Sequence, residues 1–295
     1  MAPFKSGFIS ILGRPNVGKS TLFNRLLGEK IAIMSERPQT TRNRILGIKN
    51  VEGAQFIFLD TPGLHEGRSP LNRRMVSTAV ASGVEADILL FLVEASAPLL
   101  EEDRKMIEPF KGSRGIFFLI INKIDLIKKA NLLPMIDQYR QIHSFQEIIP
   151  ISAITAEGVD LLVDTLLKYL PESPPHYPEE MITDQTERLL VAEIIREKVI
   201  HEAYQEIPYS TAVTIEEFKE HPEKNLIVIR GTIHVERDSQ KKIVIGKGGL
   251  KLKKVGERAR REIEDLWGKR IFLELWVNVE KNWTHDARAL DRMGY

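Results

Sequence analysis

The sequence predicts an α/β domain with a doubly wound, mostly parallel sheet, followed by a small α+β module. Three observations carry this. The first 170 residues alternate short apolar runs with helix-length stretches. A cluster of prolines then interrupts the chain at 171–178. Beyond it both the order of elements and the sign of the charge change. At 295 residues, 43% hydrophobic and 28% charged, the chain is long enough for two domains and too apolar to be disordered.

The apolar runs FISIL (8–12), QFIFLD (55–60), DILLFLVEA (87–95), GIFFLIINK (115–123) and EIIPIS (147–152) are nearly continuous in apolar character. Strands buried on both faces read this way, whereas half-exposed strands alternate. Helical stretches lie between them at 71–84, 101–110, 132–143 and 159–170. Pro171, Pro174, Pro175 and Pro178 forbid a continuing helix and predict a stiff, extended connector. The boundaries predicted are therefore 1–172, a linker at 173–183, and a second domain at 184–295. That domain reads as a helix (184–204), two strands (211–218 and 225–236), a basic amphipathic helix (250–266) and a strand (270–280). KKIVIG (241–246) reads either as a short helix or as a third strand.

Net charge is +1, but it is unevenly spread. Residues 225–295 hold 16 basic and 10 acidic residues, and 241–261 hold nine basic residues against Glu257 alone. A basic end on a near-neutral chain suggests a polyanionic partner. Cysteine is absent, which excludes disulfides, thiol nucleophiles and Cys-ligated metals. The seven histidines show no metal-ligand spacing, and no apolar run reaches the ~18 residues of a spanning helix. MAPFKSGFISILG is not read as a signal peptide.

Gly13-Arg14-Pro15-Asn16-Val17-Gly18-Lys19-Ser20, with Thr21 next, follows the first strand and opens a helix. Gly-x-x-x-x-Gly-Lys-Ser in that setting is a phosphate loop. Its glycines let successive N–H groups turn inward, and the helix adds its positive end. Lys19 supplies a point charge for the β- and γ-phosphates, and the Ser20 hydroxyl a ligand for Mg²⁺. Asp60-Thr61-Pro62-Gly63 ends the second apolar run. Asp60 is placed to hold Mg²⁺ through water, and the Gly63 N–H to sense a γ-phosphate. Asn122-Lys123-Ile124-Asp125 ends the fourth run. The Asp125 carboxylate can accept both the N1–H and the 2-amino group of guanine, a pairing adenine cannot offer. Asn122 and Lys123 would position the loop and cover the ring. The Ser152-Ala153 dipeptide would give a backbone N–H to the guanine carbonyl.

GRPNVGKS, DTPG, NKID and SA at these separations resemble the translation-factor-related GTPases. Pro38-Gln39-Thr40-Thr41-Arg42 and the C-terminal basic module narrow the likeness to a bacterial ribosome-assembly family. The resemblance implies a P-loop GTPase domain that binds GTP, GDP and Mg²⁺. It makes Thr41 the switch-loop threonine that completes the Mg²⁺ shell with Ser20 and Asp60, with Thr40 as the fallback. Leu64 stands where related enzymes orient water with glutamine, and His65 is the nearest substitute. Asn16 matches a position that holds a monovalent cation in relatives. Slow, K⁺-stimulated hydrolysis is expected, with Lys19, Thr41, Gly63 and Asn16 as the catalytic set.

Ile245-Gly246-Lys247-Gly248-Gly249 contains G-x-x-G and resembles the KH module, of type II if 240–245 is helical. A loop without side-chain bulk lets a nucleic-acid backbone approach the following helix. Lys241, Lys242, Lys247, Lys251, Lys253 and Lys254 would meet phosphates, and Ile243, Val244 and Ile245 would line a groove for bases. Single-stranded RNA is favoured over duplex, because its bases are accessible. The resemblance implies the 3′ end of 16S rRNA and the small ribosomal subunit as partners. It also implies a cytoplasmic monomer with a weak peripheral inner-membrane fraction, although the sequence shows no amphipathic anchor. Trp267, Trp276 and Trp283 are read as packing residues. The alternative function is an RNA-binding chaperone in which GTP is a structural or regulatory ligand.

Overall fold

The computed structural model describes residues 3–34, 40–63, 69–110, 112, 115–202 and 207–295. The chain divides into two compact units, the first drawn mainly from residues up to Asp184 and the second from Gln185 on, with Thr40 and Ser69–Leu71 grouped with the second.

In the first unit, β1 (Lys5–Gly13) leads into α1 (Lys19–Leu27), β2 (Ile45–Val51), β3 (Ala54–Asp60) and α2 (Pro70–Val84). Then come β4 (Ile88–Glu94), α3 (Glu101–Ile107), β5 (Ile116–Asn122), α4 (Leu132–Arg140), β6 (Glu147–Pro150) and α5 (Val159–Tyr169). The six-stranded sheet has the order β2-β3-β1-β4-β5-β6. All neighbours are parallel except β2, which runs antiparallel to β3. Successive residues point to opposite faces, so each apolar run feeds two cores. Ile9, Ile11, Leu90, Leu92, Phe118 and Ile120 pack with Leu22, Phe23 and Leu26 of α1 and Leu162 and Leu166 of α5. Leu12, Leu89, Phe91, Val93, Leu119 and Ile121 pack on the other face with Ala79 of α2, Ile107 of α3 and Tyr139 of α4. This alternation explains why the strands are so largely apolar, with Ser6 and Ser10 of β1, Gln55 and Asp60 of β3 and Asn122 of β5 as buried polar residues.

The edge strand β2 has no counterpart in the sequence reading, and the proline-rich stretch expected to be a stiff, extended connector is also docked on the sheet edge. Residues 176–183 run along that edge. The Gln55 side-chain oxygen accepts the N–H groups of His176 (2.8 Å) and Tyr177 (3.0 Å). Ile48 N–H donates to Ile182 O at 2.7 Å, and Thr183 Oγ1 to Leu46 O at 2.6 Å. Tyr177 and Met181 pack on Leu46, Ile48, Ile57 and Leu59. Proline, which lacks an N–H, suits a strap that covers an edge and ends its pairing.

The second unit contains α6 (Glu187–Glu202), β7 (Ala212–His221), β8 (Leu226–Val235), α7 (Asp238–Ile245), α8 (Leu250–Trp267), β9 (Arg270–Val279) and α9 (Ala287–Arg292). Its sheet has the order β7-β8-β9, antiparallel then parallel. The segment left open between helix and strand is therefore helix α7, and the order α-β-β-α-α-β results. Gln240 decides this locally: its side-chain oxygen accepts the N–H groups of Glu236 (2.8 Å) and Arg237 (3.1 Å) and caps the first turn. Val255, Ala259 and Ile263, at i, i+4 and i+8 of α8, join Val191, Ile195 and Val199 of α6 over Ile227, Ile229, Ile233 and Ile271. Of the three tryptophans, Trp283 is fully buried and donates Nε1–H to Ser210 O at 3.0 Å. Trp267 meets Phe218 edge-on. Trp276 corrects the packing assignment: it is 46% exposed, and Phe272 on the same face of β9 is 50% exposed.

Candidate functional site

The phosphate loop is a bend that ordinary residues resist. Gly13 has φ 150°, Asn16 φ 66° and Gly18 φ 100°. Gly18 also lies so close to Asn122 that no side chain fits there. Val17 is buried in the core, which anchors the loop from below. The loop delivers the chain into α1 with Lys19, Ser20 and Thr21 in its first turn.

Lys19 is almost fully buried, and its Nζ donates to Arg14 O at 2.8 Å. Burial lowers its pKa to about 8, although Asp60 pulls the other way. Asp60, at the end of β3, is fully buried. Its pKa is raised by that burial against the opposing pull of Lys19 and its hydrogen-bond donors. One oxygen, Oδ2, accepts Ser20 Oγ–H at 2.8 Å and Thr41 Oγ1–H at 3.1 Å, and the two hydroxyls are 2.9 Å apart. Oδ1 is buried with no hydrogen-bond partner among the described residues. Two hydroxyls and a carboxylate, with one carboxylate oxygen unspent, form an all-oxygen donor set suited to Mg²⁺. Of the two candidate threonines, Thr41 is the one whose hydroxyl joins this set. Thr61 instead donates its hydroxyl to Ile11 O at 2.7 Å and ties the Asp-Thr-Pro-Gly turn to β1. Gly63 lies against Pro15, where a Cβ would meet backbone at about 2.9 Å.

Asn122 joins three loops. Its Nδ2–H donates to Val17 O at 2.8 Å, and its Oδ1 accepts Ala153 N–H at 2.9 Å. Lys123 takes the left-handed conformation, φ 65°, and its Nζ pairs with Glu94 at 2.8 Å. Asp125 is exposed. A small cleft is lined by Gly18, Thr21, Asn122, Lys123, Asp125 and Ala153. Here the structure departs from expectation in one respect. The Ala153 N–H goes to Asn122, and the Ser152 N–H goes to Glu157 O at 2.9 Å. Both N–H groups of the dipeptide expected to give one to a base carbonyl are thus paired within the protein. Pro38, Gln39, Leu64 and His65 lie outside the described residues.

In the second unit, Gly246, Gly248 and Gly249 have φ of 74°, 60° and 78°. The loop turns between α7 and α8, with Lys247 exposed at its tip. Around it Lys242, Lys253 and Lys254 are exposed, and Lys241, Lys251 and Ile245 half-buried. Lys254 pairs with Glu202 at 3.0 Å, and Lys253 lies 4.0 Å from Glu257, so two of the six expected phosphate ligands already face carboxylates. The apolar groove is also corrected. Val244 belongs to the core at 3% exposure, while Ile243 (39%) and Leu250 (67%) face outward. Leu250 was missed; its signal was an apolar residue directly after the glycine loop.

A family model described as a 50S ribosome-binding GTPase matches residues 8–123, and one described as a KH domain matches 206–284. Among curated proteins, GTPase Era of Syntrophus aciditrophicus is 58% identical over 292 residues, covering 99% of this chain and 95% of that one. GTPase Era of Geobacter metallireducens is 53% identical over 293 residues, covering 99% and 98%. A crystal structure of Era with MgGDPNP and nucleotides 1506–1542 of 16S ribosomal RNA is 45% identical, with a TM-score of 0.96 and 99% of each chain covered. A variant of Aquifex aeolicus Era bound to GDP·AlF4⁻ is 44% identical, with the same TM-score and coverage.

Proposed function

The chain belongs to the Era family of GTPases, and from that premise we propose that its nucleotide state gates a grip on the 3′ end of small-subunit ribosomal RNA. Through that grip it assists assembly of the small subunit. The observation that carries this reading is the meeting of Thr41, Ser20 and Asp60 on one carboxylate oxygen. A metal–triphosphate that draws these hydroxyls to itself would pull on the chain at Thr41, and in this reading nucleotide state becomes a change of shape.

Ser20, Thr41 and Asp60 would hold Mg²⁺, which supplies charge neutralisation at the β- and γ-phosphates. Lys19 leaves the Arg14 carbonyl for the phosphate, and the Gly63 N–H reads the γ-position. Asp125 selects guanine, and Asn122 holds the guanine loop to the phosphate loop. Asn16, in its left-handed conformation, is the residue for a K⁺ ion. In the second unit the Gly246–Gly249 turn admits the RNA backbone, flanked by Lys241, Lys242, Lys247 and Lys251.

The test is twofold. A 3′-end oligonucleotide is titrated against protein carrying GDPNP or GDP, and multiple-turnover hydrolysis is followed with and without small subunits. Tighter RNA binding with GDPNP and stimulated turnover are expected; equal RNA affinity in both states refutes the gating. Tight GTP binding without stimulated turnover would favour a chaperone that uses GTP as a structural ligand. Hydrolysis is also expected to run faster in KCl than in matched NaCl, and Asn16→Ala to abolish the difference. A cytoplasmic monomer with at most a weak peripheral membrane fraction is expected. Among the described residues no helix is long and apolar enough to cross a membrane.

A further inference from the structure

The second residue of the phosphate loop is tied to a carboxylate far along the chain. Arg14 Nε–H donates to Asp103 Oδ1 at 2.8 Å. Asp103 is fully buried at the start of α3, and its other oxygen accepts Leu100 N–H and Tyr139 Oη–H, both at 3.0 Å. Three donors from three places in the fold thus converge on one carboxylate. The Arg14 side chain keeps only 18% of its exposure. On the backbone of the same residue, the Arg14 carbonyl accepts the Lys19 ammonium. Arg14 is therefore held at both ends, its guanidinium by Asp103 and its carbonyl by the lysine that must meet the phosphates.

We propose that Asp103 is a positioning residue for nucleotide binding. By clamping the Arg14 side chain it fixes the first bend of the phosphate loop, and with it the carbonyl that parks Lys19. This rests on the reading of residues 13–20 as the phosphate loop. An ion pair with a charge-assisted hydrogen bond is suited to the task, because it is both strong and directional. A neutral amide at 103 has one acceptor oxygen and no charge, so it can serve Leu100 and Tyr139 or Arg14 but not both sides, and it holds the guanidinium only weakly. The loop would then sample other bends, and the nucleotide would have to order it on binding. Once phosphates fill the loop they order it themselves. The loss therefore falls on affinity and spares the chemical step.

The test is a cycle of Arg14→Gln and Asp103→Asn in the full chain, with Tyr139→Phe as a control that leaves the carboxylate and Arg14 in place. GDP affinity and dissociation rate are measured with a fluorescent GDP, hydrolysis by steady-state kinetics, and folding by thermal melting. Each single variant is expected to weaken GDP binding by about tenfold and raise KM alike, with kcat within about twofold, because slow chemistry makes KM follow Kd. The double variant should be no worse than either single, since both remove the same link. Tyr139→Phe should lower the melting temperature and leave GDP affinity unchanged. Should Asp103→Asn fold poorly, Arg14→Gln, at a part-exposed position, carries the affinity and KM readout alone. The proposal is overturned if Arg14→Gln binds GDP as the parent does, if the two effects multiply, or if kcat falls while KM holds. Failure of the parent protein to bind GDP would instead remove the phosphate-loop reading itself.

Discussion

Replacing Gly18 by alanine tests how the phosphate loop and the guanine loop depend on one another. Two costs can be separated. At φ 100° an L-residue is strained, by about 1–2 kcal/mol. A Cβ there would also lie closer than 3.0 Å to Asn122 Nδ2. That side chain is fixed by its bonds to Val17 O and Ala153 N–H. It cannot retreat without breaking one, and a buried hydrogen bond lost this way costs about 1–3 kcal/mol. The sum is about 2–5 kcal/mol. In an Asn122→Ala background the obstruction is gone, and Gly18→Ala should cost only the strain, about 1–2 kcal/mol. The expected coupling is the difference, about 1–3 kcal/mol. Urea unfolding followed by circular dichroism reads it. All three tryptophans, Trp267, Trp276 and Trp283, lie beyond residue 184, so tryptophan emission reports the second unit and should not shift. An equal penalty in both backgrounds would refute the reasoning.

Lys19 makes the nucleotide site sensitive to alkali. With its pKa brought down to about 8 and an unfolded value near 10.4, the unfolded chain binds more protons between these two values. The nucleotide-free protein should therefore gain stability from this group as pH rises through that window. Phosphates favour charged Lys19, so GDP binding takes up a proton there, and affinity should fall by up to about tenfold per pH unit above pH 8; calorimetry in buffers of different ionisation enthalpy checks both. For RNA, four neutralised phosphates give a slope of log K against log salt of roughly −3. Lys247→Ala should reduce that slope by about 0.7, and Lys254→Ala, already paired with Glu202, by less. Gly246→Ala brings a Cβ to 2.8 Å from the Lys251 side chain at φ 74°. It should weaken RNA binding at any salt concentration and leave GDP affinity unchanged.

The parallel strands were legible because burial on both faces leaves a nearly unbroken apolar run, and the glycines were legible because their spacing follows from the curl around phosphate. Features that depend on a distant partner were not. The strand ILGIKNV (β2) has the polar end of an edge, and only pairing with β3 makes it a strand. The prolines at 171–178 signal an end to helix, but nothing local tells that Gln55 holds His176 and Tyr177, within that stretch, through two hydrogen bonds to one oxygen. KKIVI carries three β-branched residues, which favour a strand, and the Gln240 cap outweighs them. In the sequence Asp103 is one acid among three in Glu101-Glu102-Asp103, and nothing local sets it apart. Its burial by Tyr139 and Arg14 is a property of the assembled fold.

The nucleotide site buries a lysine and an aspartate, and burial disfavours charge on both. Burial disfavours the charged form of each, lowering the pKa of Lys19 and raising that of Asp60, and their mutual attraction opposes both shifts without cancelling them. Such a pair is costly in an isolated fold and valuable in a binding site. Polyphosphate brings negative charge to Lys19, and a divalent cation brings positive charge to the unspent oxygen of Asp60. Each buried group then receives a stronger partner than the other supplied. The interaction gained on binding is therefore large because Lys19 and Asp60 compensate one another poorly on their own.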